Sequence, residues 1–145
     1  MNAPQNPRND LPPSARIVRL GLWALPAWAA LLFYGTFTHQ PPPQTQFTAW
    51  SRYVTTPEFL ASHLIASILG AAIGALGMIA LGAVLASRGR PRAGLWVMVT
   101  GVFANVVSAA VFGIAAFAQP AIGRDYLAGH TAQASLLVKT VVNGD

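Results

Sequence analysis

Two polar side chains within the long apolar stretches of this chain, His63 and Asn105, are the first candidates for chemistry. A histidine can bind a metal or transfer a proton near neutral pH, and a carboxamide can hydrogen-bond a ligand or a neighbouring helix. Such a group needs a partner, because an unsatisfied polar group in apolar surroundings is costly. We predict that Asn105 hydrogen-bonds across a helix interface and that His63 reaches interfacial water. The alternative for both is contact with a ligand or a proton path.

The histidines His39, His63 and His130 fall on the same predicted side of the chain as Glu58 and Asp125. Imidazoles and carboxylates are suitable ligands for zinc or copper. Their spacing, however, contains neither an H-E-x-x-H nor an H-x-H pattern, and the chain has no cysteine. We therefore predict no metal-binding residue and no cofactor.

A nucleophile paired with a base is the other chemistry to consider, and Ser67 lies four residues after His63. Residues at this spacing share one face of a helix. Catalysis would also need an oxyanion-stabilising group, and the chain has no G-x-S-x-G motif and no phosphate-binding loop. We predict no catalytic residue and a non-enzymatic protein.

The elements that must position these side chains are three apolar stretches, over residues 17–38, 59–86 and 95–118. A helix crosses a hydrocarbon core of about 30 Å with about 20 residues. Only 9% of the 145 residues are charged, whereas soluble domains carry roughly 25%. The sequence therefore predicts an all-α integral membrane protein, a helical bundle with three transmembrane helices, surrounded by a lipid bilayer.

The segments outside the predicted spans have different characters. Residues 1–16 are rich in proline and polar residues and are predicted to be a disordered cytoplasmic tail. Residues 39–58 form a polar connection, and residues 121–145 carry apolar side chains at helical spacing, which predicts a short amphipathic helix outside the cytoplasm. The three-span bundle is thus assigned to residues 17–120.

Local signals predict where the helices begin, bend and end. Thr55 or Thr56 is a suitable cap for the second helix, followed by Pro57 at its first turn. Pro26 should bend the first helix, because proline lacks the backbone N–H donor. The third helix is expected to end at Pro120 and Gly123.

The net charge of +5 could suggest binding to nucleic acid, but the basic residues flank the apolar stretches rather than forming one basic surface with aromatics. Cytoplasmic loops of membrane proteins are enriched in Lys and Arg. The chain is therefore expected to lie in the inner membrane of a bacterium, with its N-terminus in the cytoplasm and its C-terminus outside. The residues that predict this topology are Arg16, Arg19, Arg88, Arg90 and Arg92.

Small residues recur at helical spacing in the second and third stretches. Such residues let two helices approach closely, which is a main source of helix affinity in lipid. The seam has two interpretations, packing of the second helix within the chain or an oligomer interface, and we favour the first. The predicted packing residues are Gly70, Gly74, Gly77, Gly101, Ala109 and Gly113.

No residue pattern identifies a family, so the function predicted from sequence is general. We expect a small membrane subunit or helper that packs against itself or a larger membrane protein. The alternative is one component of an oligomeric transporter for ions or small molecules. An odd number of spans with an outer C-terminus also fits a fragment of a longer protein with a fourth helix.

Overall fold

A computed structural model describes residues 13–38 and 40–144, and these residues are helical apart from short connections. No strand occurs within this part of the chain. The helices are, in chain order, α1 (Pro13–Leu22), α2 (Ala24–Thr38), α3 (Phe47–Val54), α4 (Pro57–Ser62), α5 (Gly70–Ser87), α6 (Pro91–Leu127) and α7 (Thr131–Leu137). Two π-helical segments, His63–Leu69 and Val138–Asn143, follow α4 and α7.

Three helices are long and apolar enough to cross a membrane, which confirms that part of the prediction. The first long helix (Ser14–Thr38) combines α1 and α2, the second (Pro57–Ser87) combines α4, the first π segment and α5, and the third (Pro91–Leu127) is α6. At 1.5 Å per residue they reach about 37, 46 and 55 Å. The third is therefore much longer than a hydrocarbon core.

The first long helix is interrupted at Trp23, three residues before Pro26. Proline has no N–H to donate to the carbonyl of Leu22, so the hydrogen-bond ladder has a gap there. The N–H of Trp23 instead donates to the Leu20 carbonyl at 3.0 Å. Pro26 thus interrupts the first long helix, as expected from the sequence, and the interruption takes the form of a turn between α1 and α2.

The second long helix begins as predicted, and Thr56 rather than Thr55 is its cap. The Phe59 backbone N–H donates to Oγ1 of Thr56 at 3.2 Å, and Pro57 occupies the first turn. Thr55 Oγ1 instead donates to the Ser51 carbonyl of the preceding helix at 2.9 Å. The two neighbouring threonines therefore serve different helices.

The prediction that the third helix ends at Pro120 and Gly123 is wrong, because α6 continues to Leu127. Both residues are buried. A Cβ on Gly123 would lie 2.9 Å from the Ser51 carbonyl oxygen and 2.8 Å from a Val54 methyl group, so α3 packs directly on its backbone. The contact with α3 thus stabilises α6 beyond proline and glycine residues, which usually end a helix.

The predicted polar connection contains helix α3, which the sequence analysis missed. With α7 and the second π segment, α3 forms a small unit that we call the helical cap. The cap packs on the ends of the second and third long helices around a core of Trp50, Val54, Phe59, Ile122, Ala134 and Val138. The C-terminal amphipathic helix thus starts at Thr131, after a turn at Gly129, and its apolar face is covered by the protein itself.

The second long helix lies between the other two and contacts both through its glycines. A Cβ on Gly77 would lie 2.7 Å from a methyl carbon of Leu25 in the first helix. On the third helix, Gly94 and Met98 pack directly against Gly82. The small residues of the second helix are therefore used for packing inside the chain, the interpretation favoured from sequence.

Candidate functional site

A cavity of about 420 Å³ lies between the three long helices, close to the helical cap. We call it the histidine cavity. The first π segment supplies one wall, and all three long helices contribute lining residues. Its polar lining residues are Thr36, Gln40, Ser62, His63, Ser67 and Gln119.

His63 is the best positioned of these side chains, being only 5% exposed. Its Nδ1 lies 2.9 Å from the Phe59 carbonyl oxygen, one turn earlier. A carbonyl can only accept a hydrogen bond, so Nδ1 carries the proton and, in the neutral ring, Nε2 holds the lone pair. The ring also packs on Phe59, with centroids 4.2 Å apart, and edge-on to Phe112. His63 is therefore held in one tautomer and one orientation. Its contact with interfacial water stays a prediction.

The π segment that begins at His63 was not foreseen. Its N–H groups donate to carbonyls five residues back, as Gly70 does to Ile65, so the turn is wider than in an α-helix. Such wide turns are frequent at functional sites. Here the wide turn places His63, Ala66 and Ser67 along one cavity. The sequence has no proline or other local signal that predicts it.

Ser67 lines the same cavity as His63, so the spacing argument placed the two side chains correctly. The chemistry of a catalytic pair is less well supported. In such a pair a carboxylate usually orients the histidine through Nδ1, whereas Nδ1 of His63 is bonded to a backbone carbonyl. Neither described carboxylate residue, Glu58 or Asp125, lines the cavity.

Asn105 lies deeper, at the contact between the three helices, and is 5% exposed. A Cβ on Gly74 would lie 2.5 Å from Asn105 Oδ1 and 3.0 Å from the Trp28 ring, so both side chains occupy the space beside this glycine. The prediction of a hydrogen bond between helices is corrected in one respect. The amide Nδ2 donates to the Gly101 carbonyl of its own helix at 2.8 Å, while Oδ1 makes the contact with the second helix.

The Asn105–Gly74–Trp28 contact lies beyond the histidine cavity, on the side away from the helical cap. Gly74 lies seven residues beyond Ser67 along the second helix, which is about 10 Å. Further along, Leu25 fills the space beside Gly77. The cavity therefore lies at the cap end of the bundle, and Asn105 is not among its lining residues.

The three histidines are not brought to one site within the described residues. His130 pairs with Asp125 in the helical cap, with Nδ1 and Oδ1 2.6 Å apart, and His63 lines the cavity. His39 lies outside the described residues. Residues 13–38 and 40–144 hold no group of three or more histidine, aspartate and glutamate side chains that could bind a metal.

The predicted packing residues divide into two groups. Gly70 faces Leu31, Gly74 and Gly77 contact the first helix, and Gly101 faces Met78 of the second. Gly113 is different, since a Cβ there would meet nothing within 4 Å. Ala109, one turn away on the same face, is half-buried. Within the described chain, the space beside Gly113 is therefore open.

The predicted topology arginines lie together at the end opposite the helical cap, which we call the arginine end. Arg16 and Arg19 belong to α1, and Arg88, Arg90 and Arg92 belong to the turn before the third helix and its first residues. The cap end carries three basic residues, Arg52, Arg124 and Lys139, with the carboxylates of Glu58 and Asp125. The two ends of the described molecule therefore differ in charge.

Comparison with known proteins does not assign this arrangement to a family. No family model matches the chain, and neither a curated protein nor a solved structure is detectably similar to it.

Proposed function

We propose that this chain is an integral membrane protein that acts as a non-enzymatic subunit or helper of a larger membrane assembly. The observation that carries the proposal is how little of the long helices the chain covers by itself. Within the most apolar stretch of each, 0% of the first helix, 33% of the second and 6% of the third is buried. An apolar helix with so little burial must be covered by lipid or by other helices.

The exposed side chains are large as well as apolar. They form continuous faces on the first and third long helices, and soluble monomers rarely expose apolar patches of more than a few hundred Å². Among the most exposed are Leu20, Phe33, Phe37, Leu95, Trp96, Phe103 and Phe117. These faces support a membrane location, and the arginine end supports a cytoplasmic N-terminus.

The open position of the third helix at Gly113 supports a partner helix rather than lipid alone. The other predicted glycines of the seam are occupied inside the chain. Lipid tails gain little from a helix face with small residues, whereas a second helix can approach its backbone closely. We therefore assign the partner contact to the third helix at Gly113.

The test is purification of the full chain from membranes in mild detergent, followed by mass measurement of the intact complex. We expect a stoichiometric protein partner or a second copy, and loss of it in Gly113→Leu. Gly89→Leu would be a poor control because Gly89 has φ of +79°. Ala110→Leu, an exposed small residue of the same helix, is the matched control and should keep the partner. A wild-type chain that purifies as a monomer with lipid alone would overturn the proposal.

The histidine cavity supports a second candidate, a component of an oligomeric transporter. Its polar lining could receive a small solute, but the packed contact of Asn105, Gly74 and Trp28 lies between the cavity and the arginine end. Transport would therefore need a pathway between copies or partners. Uptake by reconstituted vesicles, reduced in His63→Ala, would favour this candidate. Equal uptake by vesicles with and without the protein would count against it.

A further inference from the structure

A second cavity of about 420 Å³ lies at the arginine end, between α1 and the last turns of the second long helix. We call it the arginine cavity. Its floor is apolar and half-buried, and is formed by Ala15, Val18, Leu22, Ala83 and Val84. Its rim is polar and exposed, and is formed by Ser14, Arg19, Ser87 and Arg88. The cavity is thus amphipathic, with its cationic part at the end of the bundle.

The cations of the rim are not neutralised by carboxylates among residues 13–38 and 40–144. The ion pair within these residues joins His130 to Asp125 in the helical cap, and Glu58 lies at the same distant end. Asp10 lies outside the described residues. Ser87 Oγ donates to the Val84 carbonyl at 2.8 Å, so its oxygen is left with accepting capacity only. The donors available to a ligand are therefore mainly the two guanidinium groups.

This combination fits one kind of ligand chemistry. Guanidinium groups bind phosphate oxygens with paired hydrogen bonds, and an apolar floor suits the glycerol backbone and the first carbons of acyl chains. Basic pockets between membrane helices on the cytoplasmic side are typical sites for anionic lipid headgroups. We propose that the arginine cavity binds the phosphodiester headgroup of an anionic glycerophospholipid.

The position of the cavity favours a lipid over a free phosphate. It opens beside α1 of the first long helix, and 0% of the most apolar stretch of that helix is buried in the chain. A free phosphate would gain nothing from the five apolar floor residues, whereas a lipid uses both parts. The inference rests on the membrane location in the proposed function, but it does not need a protein partner.

The experiment uses the full chain in a non-ionic detergent, titrated with phosphatidylglycerol and separately with phosphatidylcholine, with bound lipid counted by native mass spectrometry. The variant R19Q/R88Q should weaken phosphatidylglycerol binding roughly twenty-five-fold, because each basic residue near anionic lipid contributes about fivefold. The control R90Q/R92Q removes the same charge from residues outside the cavity, and should stay within about twofold of wild type.

A second variant keeps the proposal testable if R19Q/R88Q does not fold. Ala83→Phe fills the floor without changing charge and should also weaken phosphatidylglycerol binding. Equal losses in R19Q/R88Q and R90Q/R92Q would overturn the proposal, as would unchanged binding in Ala83→Phe or equal affinity for the two lipids. Displacement of the lipid by an equal concentration of inorganic phosphate would show a phosphate site and overturn the lipid assignment.

Failure of this inference can be told apart from failure of the proposed function. A chain without a cavity-bound lipid would still sediment with membranes and keep its protein partner. A chain that does not enter membranes would fail both experiments, and membrane sedimentation reports that outcome directly.

Discussion

At Gly74 the absence of a side chain lets Asn105 of the third helix and Trp28 of the first reach the backbone of the second. The Asn105 amide is held by the Gly101 carbonyl, and its oxygen occupies the space where a Cβ of residue 74 would stand. One glycine thus joins all three long helices. Its role can be tested separately from that of Gly113, where a Cβ would meet nothing within 4 Å.

Gly74→Leu should destabilise the chain by about 1–3 kcal/mol, because a larger side chain in a packed contact forces its neighbours to move. The measurement is thermal unfolding in detergent, followed by tryptophan fluorescence. Gly113→Leu is the matched control, a glycine-to-leucine change on an open face, and should leave the midpoint of the monomer unchanged. Equal shifts in the two variants would contradict the close contact at Gly74.

Asn105→Leu should change the free energy of unfolding by about 1 kcal/mol or less. The Gly101 carbonyl also accepts the backbone N–H of residue 105 within the helix, so removing the amide leaves no carbonyl unsatisfied. Leucine has nearly the same size and remains compatible with an apolar contact. A loss of several kcal/mol in the same unfolding assay would show that the Asn105 oxygen has a stronger role at Gly74.

Among the elements, α3 and the end of α6 depend on each other. The third helix continues through Pro120 and Gly123 because α3 packs on it, and α3 is a helix of only eight residues, too short to be stable alone. Trp50 and Val54 of α3 are almost fully buried in the core of the helical cap. The cap is therefore held by contacts rather than by local helix preference.

Gly123→Ala should loosen the helical cap while leaving the three long helices intact. The new Cβ would meet a Val54 methyl group at 2.8 Å and the Ser51 carbonyl oxygen at 2.9 Å, so α3 must move away. Hydrogen exchange of Phe47–Val54 should become faster, by about tenfold or more if the displacement costs 1.4 kcal/mol or more. Gly129→Ala is unsuitable as a control because φ there is +101°, so Gly113→Ala serves instead and should leave exchange in α3 unchanged.

For the whole molecule, charge and apolarity are arranged along one axis. The arginine end and the helical cap lie at opposite ends of the three long helices, and the histidine cavity opens near the cap. In a membrane this arrangement would place the arginine cavity at the cytoplasmic surface and the histidine cavity towards the other side. The orientation is a proposal that follows from the arginine positions.

A reporter fused after residue 145 should therefore be located outside the cytoplasm, and a reporter inserted after Gly89 should be cytoplasmic. Replacing Arg88, Arg90 and Arg92 by glutamine leaves no basic residue in the turn before the third helix, against Arg52 in the connection before the second, so the orientation should become mixed. Protease protection in oriented vesicles is the measurement. A cytoplasmic C-terminus in the wild-type chain would contradict the proposed topology.

Many features of this structure could be predicted from the sequence, because each depends on residues that are close together in the chain. The three apolar helices follow from the length and apolarity of continuous stretches, the Thr56 cap from the residues beside it, and the turn at Trp23 from Pro26. The spacing of the glycines indicated close packing of the second helix. Each of these depends on residues within a few turns of one another.

The tertiary structure decided what depends on residues distant in the chain. Helix α3 lies in a segment that reads as a polar connection, and it is stabilised by α6 and α7 from more than sixty residues away. The contact between α3 and α6 also stabilises the third helix beyond Pro120. The histidine and arginine cavities exist because the second long helix packs between its neighbours. Sequence alone thus determined where the three long apolar helices lie, whereas packing decided where α3 forms, how far the third helix continues and which side chains share a cavity.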